Sequence, residues 1–294
     1  MSAIRGLVAA ACFAPLLAGE VAALKRATPA FWKAALELTA YNALYEGLLS
    51  LSVVHSDATR AAFLFESSVL FTPALAAASG AKVPPSTWAA AATAALGVAL
   101  LAGDAGTLSF STGDAEALGA ALAYSAYVLR LGNGWTASAD AEAAGEPTRE
   151  AMQGVKCLFM LVAYLAWAGS DAVTASAAGA HSPAELAAVL WPGAASGVAA
   201  WAVLLYSGAV PGALADVAQA RGQARVGAAE TQILLASEPL WTALLGAAAL
   251  GERLSGRDAA GSALIVGAVG VSSGLVRRLA TAVRRQLRAS GGVL

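Results

Sequence analysis

Long apolar runs separated by short polar stretches organise this chain. At roughly 20 apolar residues per membrane crossing, the pattern predicts about nine spanning helices, over residues 3–23, 34–54, 58–79, 87–103, 115–132, 154–170, 190–211, 227–250 and 258–276. The fourth and sixth runs are short for a crossing, and Pro192 and Pro211 fall near the ends of the seventh. The predicted fold class is an all-α polytopic membrane protein.

Composition agrees with the pattern. Of 294 residues, 58% are hydrophobic and 13% charged, and the mean hydropathy is +0.65; a soluble domain carries roughly 25% charged residues. The net charge of -1 gives no sign of a nucleic-acid partner. Cys12 and Cys157 fall in predicted spans, which suits a small apolar role and suggests neither a disulfide framework nor a metal site.

Charge placement sets the expected orientation, because cytoplasmic loops collect Lys and Arg. With the N-terminus outside and the C-terminus inside, only Arg5, Arg60, Arg253 and Arg257 of the 18 basic residues fall in outer segments. The opposite orientation would place the LKRATPAFWK loop and the basic C-terminal tail on the wrong side. The stretches 103–117 and 170–185 carry acids and no base, which fits the outer side. Residues 133–153, mixed in charge and rich in Ala and Gly, read as a cytoplasmic linker with little structure of its own. The tail after residue 277 is basic, with apolar residues at helical spacing.

Setting Pro73 against Pro239 places FLFESSVLFTPALAAASG (63–80) beside ETQILLASEPLWTALLGA (230–247), and the spans that follow each also fall into step. The third span then matches the eighth and the fourth matches the ninth. An offset of five helices forces opposite orientation, so the two copies are expected to be inverted repeats with a substrate site near the midplane. The repeats cover 1–103 and 115–277, followed by a cytoplasmic tail at 278–294. The fifth span opens the second copy without a counterpart ahead of the first.

Glu238-Pro239 inside an apolar run, closed by Leu250-Gly251-Glu252-Arg253 before the next span, resembles the C-terminal helix pair of the EamA-like transporter family in the drug/metabolite transporter superfamily. The first copy departs from this pattern, with Ser79-Gly80-Ala81-Lys82 in place of the Gly-Glu turn. The resemblance implies ten helices in two five-helix units, and MSAIRGLVAAACFAPLLAG looks like the second of these. The first helix is therefore expected to be missing, through an incomplete gene model or in a protein that works with nine. The resemblance further implies a secondary transporter of a small organic metabolite, working by alternating access; a degenerate membrane scaffold or partner protein is the alternative.

Three carboxylates stand at bilayer depth, where charge is costly and marks a cavity, a partner or a proton. Glu46, Glu66 and Glu238 have no Lys or Arg at similar depth, so each is expected to be protonated, hydrogen-bonded or exposed to water. Tyr41, Asn42, Tyr45 and Glu46 share an arc of about 140° on one helix, which reads as a substrate-lining face or as a set of interhelical hydrogen bonds. Gln232 lies as far ahead of Pro239 as Glu66 lies ahead of Pro73. The expected substrate-binding residues are Tyr41, Asn42, Tyr45, Glu46, Glu66, Gln232 and Glu238. Pro73 and Pro239 are expected to kink or gate their helices. Tyr124, Tyr127, Trp201 and Tyr206 could add aromatic walls, whereas ordinary packing or interfacial anchoring also accounts for them.

His55 and His181 lack ligand spacing and read as solvated. Motifs for metal hydrolysis, phosphate loops and nucleophile elbows do not occur. No enzyme, cofactor or metal is expected. The partners are a small-molecule substrate and the lipid bilayer.

Overall fold

A computed structural model describes residues 2–101, 110–133, 145–177, 197–245, 247–248 and 256–272. Among the described residues all regular structure is helical. The order is α1 (Ser2–Gly19), α2 (Val21–Leu24), α3 (Pro29–His55), α4 (Ala58–Phe65), α5 (Ser68–Ala78), α6 (Pro85–Leu101), α7 (Thr112–Asn133), α8 (Arg149–Ala177), α9 (Val198–Ala209), α10 (Ala215–Val226), α11 (Ala228–Leu235), α12 (Glu238–Leu245) and α13 (Gly256–Ser272). A π-helical turn, Val210–Leu214, joins α9 to α10.

Among the described residues, three helical stretches are long and apolar enough to cross a membrane: Arg60–Ala78, Arg149–Thr174 and Val198–Val226. Shorter apolar helices occupy Ala3–Gly19, Pro85–Leu100 and Ala259–Val271. Large apolar side chains such as Val54, Val162, Val203, Trp241 and Leu245 are more than half exposed on these and neighbouring helices. So much exposed apolar surface marks a non-aqueous surrounding.

Helix starts follow local chemistry. Pro29 opens α3, where its missing N–H costs nothing, and the Thr28 hydroxyl accepts the Phe31 N–H at 3.4 Å. At α7, Ser111 and Asp114 cap reciprocally: the Ser111 Oγ accepts the Asp114 N–H at 3.2 Å, and Asp114 Oδ2 accepts the Ser111 N–H at 2.8 Å. The Thr148 Oγ1 accepts the Ala151 N–H at the start of α8. This cap extends helix back into the stretch expected to be an unstructured linker: the sixth span, predicted over 154–170, is part of the 29-residue α8. The seventh predicted span, 190–211, is described only from residue 197, and its helix continues through Pro211 to Val226. Pro211 falls in the π turn, whose wider coil makes room for a ring that would collide with the carbonyl four residues back.

The third and eighth predicted spans are each broken. Residues 66–67 separate α4 from α5, and residues 236–237 separate α11 from α12. Both α4 and α11 are eight residues long, and the two breaks carry the same bonds. Ser67 Oγ donates to the Leu64 carbonyl at 2.6 Å and Ser237 Oγ to the Leu234 carbonyl at 2.7 Å. The Leu70 and Phe71 N–H groups return to the Ser67 carbonyl as those of Leu240 and Trp241 return to Ser237. This register sets Ser67 beside Ser237 and Thr72 beside Thr242, four residues away from the pairing of Pro73 with Pro239 taken from the sequence. The prolines differ in role. Pro239 is the second residue of α12 and follows its break directly, whereas α5 runs on through Pro73 and its break lies upstream.

The chain folds as two compact units, one of Met1–Ala43 with Gly134–Arg225 and the other of Leu44–Asn133 with Val226–Leu294. In the first, α1 packs on α8 and α9, over a core of Ala9, Ala10, Phe13, Cys157 and Ala213. A methyl group at Gly208 would stand 2.6 Å from Val8 and 2.7 Å from the Arg5 carbonyl, so α9 approaches α1 to a distance that only glycine permits. In the second, α6 and α13 make the most extensive pairing. Val69, Ala90, Ala91, Ala94, Ile233, Ala236 and Ala268 form its core, from α5, α6, α13 and the α11 segment. A methyl group on Gly97 of α6 would meet Ile265 at 2.7 Å and the Gly261 carbonyl at 2.8 Å.

Candidate functional site

Within the second unit, α5, α7 and α11 enclose a buried polar cluster. Ser68 and Thr72 are one helical turn apart on α5 and fully buried; Ser125 of α7 is equally buried, and Gln232 of α11 is 2% exposed. Gln232 Nε2 donates to Ser68 Oγ at 2.7 Å. Ser125 Oγ donates to the Ala121 carbonyl at 2.8 Å and approaches the Ser68 carbonyl at 3.3 Å. Two atoms are left over: Gln232 Oε1 and Thr72 Oγ1 are buried without a hydrogen-bond partner. An unmet buried polar atom costs about 1–3 kcal/mol, so the cluster is poised to accept a water or a small polar group.

An aromatic cluster is built from α3, α4 and α7. Tyr45 lies 6.0 Å from Phe65 and 4.9 Å from Tyr124, Phe65 lies 5.3 Å from Tyr124, and Tyr124 stacks on Tyr127 at 6.0 Å. Tyr127 is 2% exposed, which makes it packing for this cluster. Glu46 follows Tyr45, and the two side chains approach at a long 3.5 Å. Glu66 sits in the first helix break, half-buried, within electrostatic reach of Glu238 beside the second break.

The structure therefore gathers Tyr45, Glu46, Glu66, Gln232 and Glu238 into one compact unit. Tyr41 and Asn42, on the same helix as Tyr45, belong to the other unit. Asn42 is buried there, and its Nδ2 contacts the Met160 sulfur at 3.6 Å. Trp201 is half-buried, and Tyr206 is 64% exposed, turned away from any enclosed site. Glu252, Arg253 and His181 lie outside the described residues.

Several pairings were not read from the sequence. Lys156 of α8, 2% exposed, donates to Asp216 of α10 at 2.6 Å inside the first unit. Six residues nearer the start of α8, Glu150 pairs with Arg221. His55, expected to be solvated, holds Nδ1 2.8 Å from Glu116; a residue at the end of one helix finds a carboxylate on another that sequence separation hides. Arg60 grips Asp114 through Nε and Nη2, both at 2.7 Å. The Ser111 N–H, followed by this guanidinium, outweighs the effect of burial and holds the Asp114 carboxyl below the usual range. Among the described residues, no three His, Cys, Asp or Glu side chains converge as a metal would need.

Apolar helices of crossing length and outward-facing apolar side chains define an integral membrane protein. Residues 155–274 match the model of the EamA-like transporter family, the family that the sequence resembles. A solved structure titled "Crystal structure of protein" is similar with a TM-score of 0.65 and 21% identity, over 93% of this chain and 88% of that one; at that identity the likeness is one of fold. No curated protein matches the chain.

Proposed function

We propose that this protein is a secondary transporter of a small organic metabolite, working by alternating access between two inverted helix repeats. The match of residues 155–274 to a transporter family carries the reading. The repeats are 1–103 and 115–277, with about nine crossings, the N-terminus outside and the C-terminus inside. The twin helix breaks support the repeat, because the same serine-to-carbonyl bond recurs at corresponding places in α4–α5 and α11–α12.

Substrate contact is assigned to Tyr45, Glu46, Glu66, Gln232 and Glu238, with Tyr41 and Asn42 contributing from the earlier part of α3. Glu66 and Glu238 repel one another when both are charged, so a proton or a cationic substrate group between them is favoured. Pro239 acts with Ser237 at one break and Ser67 at the other, and Pro73 weakens α5 beyond its break.

The test is uptake by the full chain in liposomes from a mixture of metabolites. Saturable uptake of a compound is expected, with rate or pH dependence altered in Glu46→Gln, Glu66→Gln and Glu238→Gln. If nothing is taken up saturably, the transport reading fails; if uptake persists with all three variants unchanged, the assignment of the carboxylates fails.

A further inference from the structure

A cavity of about 120 Å³ opens in the second unit, about one helical turn along α5, α7 and α11 from the Ser68–Gln232 cluster, lined by Lys82, Thr87, Leu129, Ala228, Ala229 and Glu230 among others. At ~30 Å³ per water in the liquid, it has room for about four waters, or one small oxyanion. Three kinds of donor surround it. Gly80, at φ 89°, ends α5 in the left-handed conformation that favours glycine, and the turn that follows carries Lys82 to the cavity. The Lys82 ammonium has no ion-pair partner among the described residues. Thr87, in the first turn of α6, is 3% exposed and lines the cavity, and its hydroxyl has no hydrogen-bond partner among the described residues.

The third donor is the start of α11. Gly227 at φ 85° occupies the N-cap, where Ser, Thr, Asp or Asn would supply an oxygen to the first N–H groups. Gly227 has no side chain with which to cap this helix, and among the described residues the first N–H to find a carbonyl belongs to Thr231. Those of Ala228, Ala229 and Glu230 find no carbonyl among the described residues, and all three residues line the cavity. Pro84 and Pro85 bring no N–H from the α6 side. Unpaired N–H groups at a helix N-terminus, a buried hydroxyl and an ammonium form the donor set that takes a phosphate or carboxylate group. Glu230 opposes it: its carboxylate is folded back to 3.2 Å from where a Gly227 Cβ would stand.

We propose that this cavity binds a small oxyanion, held by Lys82, Thr87 and the first N–H groups of α11, with Glu230 limiting the affinity. The site does not depend on transport. The ligand comes from free phosphate or carboxylate, or from the phosphate of a lipid headgroup that reaches the cavity.

Calorimetric titration of the full chain with inorganic phosphate, in nanodiscs of uncharged phosphatidylcholine, tests the free-anion source. Nanodiscs containing phosphatidylglycerol test the lipid source, by competition with the same titration. Saturable binding is expected, about tenfold weaker in Lys82→Ala, several-fold weaker in Thr87→Val and several-fold tighter in Glu230→Gln. Loss of phosphate binding in phosphatidylglycerol nanodiscs alone assigns the site to the lipid. If a variant fails to fold, acylation of Lys82 in the wild-type chain gives the answer, since phosphate or phosphatidylglycerol slows it when the site is real. Binding that ignores all three substitutions, or acylation that neither anion slows, overturns the proposal.

Discussion

Ser67 and Ser237 make the same bond in two different helices, each giving its hydroxyl to the carbonyl three residues back at the point where the helix breaks. A serine bonded this way competes with the backbone for its own carbonyls and bends the helix. At the second break Pro239 removes a further donor, so that break is held open twice. At the first break the Val69 N–H still reaches the Glu66 carbonyl at 3.1 Å, a bond for which Pro239 has no counterpart. The α11–α12 joint is the looser of the two by one backbone bond. Pro239→Ala is expected to restore that bond and slow amide exchange around residues 236–241, with little change around 66–71, as hydrogen exchange read by mass spectrometry would show.

Ser68→Ala leaves the Gln232 amide nitrogen buried without an acceptor and is expected to cost about 1–3 kcal/mol. The double variant Ser68→Ala with Gln232→Leu removes both partners together with the unmet Gln232 Oε1, and should regain most of that loss. Thermal unfolding in detergent measures both; equal losses would show that the bond between α5 and α11 contributes nothing.

Asp114 gives the N-terminal end of α7 a dependence on pH. Its folded carboxyl titrates below the unfolded value of about 3.9, so the stability it adds is fully present above that value and is lost as pH falls through the lower folded one. Asp114→Asn should be less stable than the wild type at neutral pH, and the gap should close in acid. A gap that stays constant down to pH 2 would contradict the assignment.

Lys156 and Asp216 form a buried pair whose halves are not equal in exposure, at 2% and 23%. Lys156→Met strands the Asp216 charge and is expected to destabilise toward the lower end of the roughly 3–5 kcal/mol seen when one buried partner is removed, since water still reaches the carboxylate. Lys156→Met with Asp216→Leu should recover stability. A double variant no better than the single one would mean that the lysine acts through its stem alone.

Gly97→Ala should cost about 1–3 kcal/mol, because the added methyl group meets Ile265 and the Gly261 backbone where neither can retreat. Gly267→Ala on the facing helix has open space and serves as the control. Their difference in unfolding temperature reads the closeness of α6 and α13.

Much of the helical plan is legible from hydropathy, because the bilayer demands apolar runs of a set length. The break in the third span is not, since Glu66-Ser67 interrupts its helix without a glycine or a proline. Proline drew attention in the sequence for its known effect on helices, yet the feature common to the two breaks is a serine hydroxyl, which composition gives no reason to single out. Glu46, Glu66 and Glu238 could be picked because charge is rare at depth. Lys156 and Asp216 escaped notice because each sits near a polar stretch, and only the ion pair between α8 and α10 shows that they meet. The cavity beside Lys82 depends on the absence of a capping side chain at Gly227, which one glycine among 30 does not advertise.

The interleaving of the two compact units bears on how the chain is made. Neither unit is a continuous stretch: the first needs residues from both ends of Met1–Arg225, and the second cannot close until α13 has left the ribosome. The first unit can complete while α11 to α13 are still being made. A chain cut within residues 134–144 should yield two pieces that are each degraded when expressed alone and that persist when expressed together.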